Sequence, residues 1–389
     1  MPHSRRSFLQ LSTAASAVLA FRIVTEPMLA HARRTKLVPE GAVMIDSNEN
    51  PLGPCTAARE AVIAITPQGG RYLDPLTDQF LKQFAQSVGV NEEQVRVFAG
   101  STEPLHFAVR TFTSPQASYV TADPGFEAGM HAASAAGARV VKVPLTTTYA
   151  HDVRAMLAAA PDAGLFYVCT PNNPTGTLTS HADIEYLVEH KPKNSVVLVD
   201  EAYIHFSDGL SAIDLVRAGK DVVVLRTFSK LYGMAGLRCG VAIGRTDLVE
   251  RIDNHGGGNF MPVTAVAAAI ASLKEPDLIA ERKHINLQVR EETFRWLDRN
   301  GYSYIPSVSN CFMVDTKRPA RQVMAAMAQQ KVIIGRAWPA MPTYTRITVG
   351  TADEMQTFQA AFQNVMTGKV TVSTLRPDPR TIDGLVLPS

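Results

Sequence analysis

Four cysteines in 389 residues are too few and too scattered to frame a fold. Cys55, Cys169, Cys239 and Cys311 share no Cys-x-x-Cys or Cys/His spacing, so neither a disulfide framework nor a zinc site organises the chain, and no other metal-ligand pattern is evident. Charge of one sign is equally scarce. The formal net charge is +2, and no basic block lies beyond the amino terminus, which removes the usual electrostatic footprint of nucleic-acid binding. Internal repeats and low-complexity tracts are lacking, and the one long apolar run, Leu9 to Phe21, is short for a membrane span. What remains is a globular composition, 46% hydrophobic and 19% charged, long enough for one large two-part unit or two ordinary domains.

The amino terminus reads as an export leader. Ser4-Arg5-Arg6-Ser7-Phe8-Leu9 precedes the apolar run, and Ala30-His31-Ala32 follows it with the small-residue spacing of a cleavage site. The paired arginines with Phe-Leu after them resemble a twin-arginine signal, which implies a partnership with the twin-arginine export machinery and a periplasmic location. Losing residues 1–32 removes Arg5, Arg6, Arg22 and Glu26 and leaves 35 charges of each sign, a neutral mature chain.

From Val95 to Ile243 short β-branched runs alternate with helical stretches, the pattern of an α/β fold with a mostly parallel seven-stranded sheet. The expected strands lie near Val95–Phe98, Ser118–Thr121, Arg139–Val143, Leu165–Cys169, Ser195–Val199, Val222–Leu225 and Cys239–Ile243. Beyond Arg251 the spacing loosens into helices and short strands, which predicts a smaller α+β domain. The expected organisation is a leader over 1–32, an amino-terminal arm and part of the small domain over 33–75, a large domain over 76–260 and the carboxyl-terminal small domain over 261–389.

Ligands of open α/β sheets bind beyond the carboxyl ends of the strands. That rule gathers Gly100-Ser101-Thr102 at a helix start, Phe126, Asn173, Asp200, Tyr203 and Lys230 around one crevice, and Ser229 and Arg238 lie on the same loop as Lys230. Unpaired N–H groups of a first helical turn beside hydroxyls and an arginine suit a phosphate. A lysine between a buried strand and a glycine-containing loop suits a desolvated, nucleophilic amine. The same crevice offers a carboxylate at a strand end and hydrogen-bond donors beside it. Pyridoxal phosphate needs those four partners.

The motifs NENPLGP, RYLDP, AGSTEP, TPNNPTG, DEAY, RTFSK, GLRCG and RITVGT occur in one order between Asn48 and Gly350. In this the chain resembles the fold type I pyridoxal-phosphate aminotransferases, and within them the histidinol-phosphate aminotransferases. The resemblance implies that Lys230 carries the cofactor as a Schiff base and shuttles a proton, and that Asp200 pairs with the pyridine nitrogen. It implies that Tyr203 and Asn173 hold the ring oxygen, and that Phe126 stacks on the ring. Ser101, Thr102, Ser229 and Arg238 would hold the phosphate together with Tyr72 of a neighbouring subunit, which implies a homodimer. Arg346 would grip the substrate α-carboxylate, and Arg336 a distal anion. The implied reaction is ping-pong transfer of an amino group between an amino acid and a 2-oxo acid. Decarboxylation or elimination on the same cofactor, or cofactor binding without turnover, are the alternatives. The proline-rich segment from Ala337 to Thr345 is expected to build a pocket for a bulky or aromatic side chain.

Overall fold

The computed structural model describes residue 26, residues 39–256 and 261–370, and the backbone of 381–382 and 385–386. The expected leader over 1–32, Glu26 excepted, and the expected boundaries at 32 and 260 lie outside the described residues.

Strand β1 (Val43–Ile45) is followed by the strands of the large sheet: β2 (Val95–Phe98), β3 (Ser118–Asp123), β4 (Val140–Pro144), β5 (Ala163–Cys169), β6 (Val196–Asp200), β7 (Val222–Thr227) and β8 (Gly240–Gly244). Their order is β2-β8-β7-β6-β5-β3-β4. Strands β4, β3, β5, β6 and β7 pair in parallel, and β8 runs antiparallel to both neighbours. This is the mostly parallel seven-stranded sheet that the alternating pattern predicts.

The central strands read as unbroken apolar runs because both faces of the sheet are covered. Successive residues turn to opposite faces, so Val197, Val199, Val222 and Val224 enter one core while Val196, Leu198, Val223 and Leu225 enter another. Helices Asp74–Val88 and Val263–Leu273 close the first core through Phe80, Phe84, Val266 and Ile270. The first of these helices starts at Asp74. Pro75 occupies its first turn, where a missing N–H costs nothing.

The remaining strands are β9 (Ser303–Ile305), β10 (Cys311–Asp315), β11 (Val332–Ile334) and β12 (Tyr344–Thr348). They form an antiparallel β12-β10-β9 sheet and a parallel β1-β11 pair, packed with helices Ala320–Gln329 and Ala352–Met366 around Phe312, Phe358 and Phe362. The residue after β11 is Gly335 because a Cβ there would lie 2.4 Å from the carbonyl oxygen of Asp46. That close approach holds the loop after β1 against the start of the segment bearing Arg336.

Beneath the loop that follows β7, Arg226 makes a buried ion pair of 2.7 Å with Glu201, whose side chain is sealed from water. Arg226 also donates to Ser211 Oγ at 3.1 Å and lies 2.8 Å from Nε2 of His205. Burial, reinforced by Arg226, pushes the pKa of His205 down to about 3, so its ring is neutral and accepts. Replacing one member of such a pair strands the other charge in a dry site. Arg226→Met is expected to lower stability by about 3–5 kcal/mol, read from the urea midpoint, and adding Glu201→Gln to restore part of the loss.

Candidate active site

The carboxyl ends of β3, β5, β6 and β7 open onto one cavity of about 200 Å³. Strand order reverses between β3 and β5, where the chain turns from one side of the sheet to the other, and a crevice forms at such a point. Phe126 comes to the cavity from the loop after β3, Asn173 from the loop after β5, Asp200 and Tyr203 from the end of β6, and Ser229 and Lys230 from the loop after β7. Ser101 and Thr102, at the start of helix Thr102–Phe112, close the opposite wall with Arg238. All nine of these residues singled out from the sequence line the same space.

Lys230 is only 9% exposed. Its Nζ donates to the carbonyl of Ser47 at 3.2 Å and stands 5.6 Å from the centre of the Tyr203 ring. Burial pulls its pKa below the ordinary lysine value, and the nearby Glu26 carboxylate opposes that shift. An amine held in this way has a larger neutral, nucleophilic fraction than a surface lysine.

Asp200 is held from two sides: Tyr167 donates its hydroxyl to one carboxylate oxygen at 2.8 Å and the N–H of Ala202 donates to the other at 3.1 Å. Burial nevertheless raises its pKa from 3.8 to about 6. A buried carboxylate poised this way calls for a cation in the cavity. Tyr203 receives amide donors from Asn48 at 3.0 Å and Asn173 at 3.4 Å, which leaves its own hydroxyl proton to give.

Beside the start of helix Thr102–Phe112, Arg238 adopts a left-handed backbone, φ 67°, and donates to the carbonyls of Ala235 and Ala99 at 3.0 and 3.1 Å, with Ser229 Oγ 3.5 Å away. A Cβ on Gly100 would fall 2.0 Å from its guanidinium. Glycine is therefore required there for the arginine to lie beside the helix start. Tyr72 stands 70% exposed in the loop before Asp74 and is not among the residues lining the chain's own cavity.

The two remaining arginines lie together on the small-domain side. Arg346, at the centre of β12, is completely buried. It donates to the side-chain oxygen of Asn173 at 2.8 Å and to the carbonyl of Asp46 at 2.5 Å, and binds the carboxylate of Glu26 at 2.6 Å. Arg336 pairs with Glu127 and lies over the ring of Trp338, 4.6 Å from its centre. Trp338 in turn donates to the carbonyl of Gly125 at 3.0 Å, joining the segment after β11 to the loop after β3.

Sequence reasoning passed over four contributors. Asn48 opens the NENPLGP motif but is given no role of its own, and Tyr167 falls on the alternation of a core strand. Glu127 carries no signal beyond its place after Phe126. Glu26 lies in a stretch read as a leader, and nothing in its surroundings marks it as a partner for Arg346.

The family profile for class I and II aminotransferases matches residues 41–362. The chain belongs to this family. It is 32% identical over 341 residues to a histidinol-phosphate aminotransferase of Moorella thermoacetica, covering 83% of this chain and 85% of that one. Identity is 35% over 303 residues with an aromatic amino acid aminotransferase of Cutibacterium acnes, covering 77% and 86%. The histidinol-phosphate aminotransferase of Sinorhizobium meliloti, solved with pyridoxal 5'-phosphate, shares the fold at a TM-score of 0.80 and 24% identity, over 90% of this chain and 97% of that one. The chain is a pyridoxal-phosphate-dependent aminotransferase of fold type I.

The raised pKa of Asp200 has a definite sign. Between pH 4 and 6 the folded chain keeps a proton that the unfolded chain has released, so cofactor-free stability falls as pH rises through that window. In cofactor-free protein at pH 7, Asp200→Asn is expected to gain about 3 kcal/mol, a gain that disappears near pH 4. In cofactor-loaded protein the same change is expected to weaken cofactor retention. Thermal melts of both forms across pH check both signs.

Proposed function

We propose that this enzyme moves an amino group between an α-amino acid, with an aromatic side chain preferred, and a 2-oxo acid. We propose too that it acts as an exported, periplasmic homodimer. The observation that carries the substrate reading is Arg346, wholly buried yet presenting its guanidinium to a carboxylate beside the cavity that holds Lys230. A planar guanidinium positioned in this way suits the α-carboxylate of an amino acid.

Pyridoxal phosphate, when bound, supplies an aldehyde for the amino group and a ring that draws electron density from Cα. Lys230 takes the proton from substrate Cα and returns one, a role open to an amine with a lowered pKa. Asp200 holds a proton at the ring nitrogen as a buried counter-charge. Tyr203 and Asn173 orient the ring oxygen. Ser101, Thr102, Ser229 and Arg238 anchor the phosphate. Arg346 and Asn173 fix the substrate carboxylate, so that the amino group is presented on the Lys230 side.

The side-chain preference rests on the surroundings of Arg336. Glu127 balances its charge and the indole of Trp338 covers its face, so a doubly charged phosphate would have to displace Glu127. A neutral aromatic side chain would leave the pair between Arg336 and Glu127 intact, and one of the similar enzymes is an aromatic amino acid aminotransferase. Export is supported by the arginine pair, apolar run and Ala30-His31-Ala32 pattern. The exposed Tyr72 of the RYLDP loop, available to a second copy, supports the dimer.

Steady-state kinetics with phenylalanine, tyrosine, glutamate and histidinol phosphate as donors test this reading. The aromatic donors are expected to give the highest kcat/KM. A clear lead for histidinol phosphate would reverse the side-chain assignment, and release of carbon dioxide or an eliminated group would replace transamination with a lyase reaction. Lys230→Ala is expected to lower kcat by at least about 10³-fold. Arg346→Ala is expected to cost about 100-fold or more in kcat/KM, because the substrate carboxylate loses its partner in a dry site.

A further inference from the structure

Glu26 belongs to the amino-terminal stretch with leader character, yet its carboxylate lies in the cavity that also holds Lys230 and Asp200. One oxygen accepts from Arg346 Nη2 at 2.6 Å and lies 3.7 Å from Arg336 Nη1; the other accepts from Asn173 Nδ2 at 3.2 Å. These are the side chains assigned above to the substrate carboxylate. Burial alone would raise the pKa of Glu26, but Arg336, Arg346 and Lys230 outweigh it and bring the carboxyl down to about 2, so the group is ionised throughout the working pH range.

We infer that Glu26 is an internal competitor of the substrate: while its carboxylate is seated between Arg346 and Arg336, the carboxylate of an amino acid is excluded. The chain that retains its amino-terminal stretch is self-liganded and binds substrate weakly. Loss of the Glu26 carboxylate leaves both guanidinium groups to the substrate. The predicted cleavage point after Ala32 falls between Glu26 and the next described residue, Pro39, so a single cut there would make the competitor dissociable. The inference rests on the substrate-carboxylate role proposed for Arg346.

An ordinary structural ion pair would link elements of the folded body through side chains remote from the cavity. Glu26 instead uses the donors that the cavity offers to a ligand. Two donors nearby, Arg346 Nε and Arg336 Nη1, have no hydrogen-bond partner among the described residues, so a free carboxylate has additional bonds to make once Glu26 leaves. If Glu26 fills the site nine-tenths of the time, apparent affinity for any competing carboxylate drops about tenfold.

The test uses the full-length, cofactor-loaded protein and its Glu26→Gln and Glu26→Ala variants, with melting temperatures checked for equal folding. Maleate, a dicarboxylate without an amino group, is titrated by calorimetry, and KM and kcat are measured with phenylalanine. Both variants are expected to bind maleate about five- to tenfold more tightly and to lower KM by a similar factor, with kcat within about twofold. Unchanged maleate affinity and KM overturn the inference, as does a rise in KM, which would make Glu26 an aid to binding. The calorimetric arm needs no turnover. Tighter maleate binding with no donor accepted would uphold the competitor and sink the aminotransfer reading, whereas normal turnover with no effect of Glu26 would do the reverse.

Discussion

The structure depends on keeping charged side chains dry. Lys230, Asp200, Arg336 and Arg346 are all buried, and each is costly to hold ionised away from water unless an opposite charge or hydrogen bonds meet it. The protein meets part of that cost itself: Tyr167 and the N–H of Ala202 for Asp200, Glu127 for Arg336, and Asn173 and the carbonyl of Asp46 for Arg346. What is left unmet marks where ligands are wanted. On the proposed reading the cofactor ring would supply a cation for Asp200, and a substrate carboxylate would take the place that Glu26 holds at Arg346.

The sheet makes this arrangement possible. Parallel strands with both faces covered end together, and their carboxyl ends deliver side chains from widely separated parts of the chain to one crevice. The second wall comes from the small unit, where β12 carries Arg346 and the segment after β11 carries Arg336. Trp338 to Gly125, Arg336 to Glu127 and Arg346 to Asn173 all cross from that wall to the large sheet. These contacts join the two walls through side chains beside the cavity.

Much of this was legible in the chain because it is locally encoded. A buried parallel strand announces itself as a β-branched run, and a site at strand ends places its polar residues just after such runs; hence Asp200 after VVLV and Lys230 after VVVLRTFS. The loop expected to hold a phosphate is likewise local, with Gly100, Ser101 and Thr102 consecutive. Partners that meet only through tertiary packing left no such trace. Asn48 reaches Tyr203 across 155 positions, and Arg346 reaches Glu26 across 320, distances over which neither spacing nor periodicity carries information. Tyr167 was hidden for another reason: its ring is core while its hydroxyl serves Asp200, and the alternation of a strand reports only the ring.

On the proposed reading a buried lysine, a buried aspartate and a buried arginine together make the amino-transferring site. The most direct measurement is the absorbance spectrum of the cofactor-loaded protein during a stoichiometric titration, first with an aromatic amino acid and then with a 2-oxo acid. The account predicts that the visible cofactor band is lost on addition of the donor and returns on addition of the 2-oxo acid, one equivalent for each site. A band that persists with every donor, or that returns without a 2-oxo acid, would contradict it.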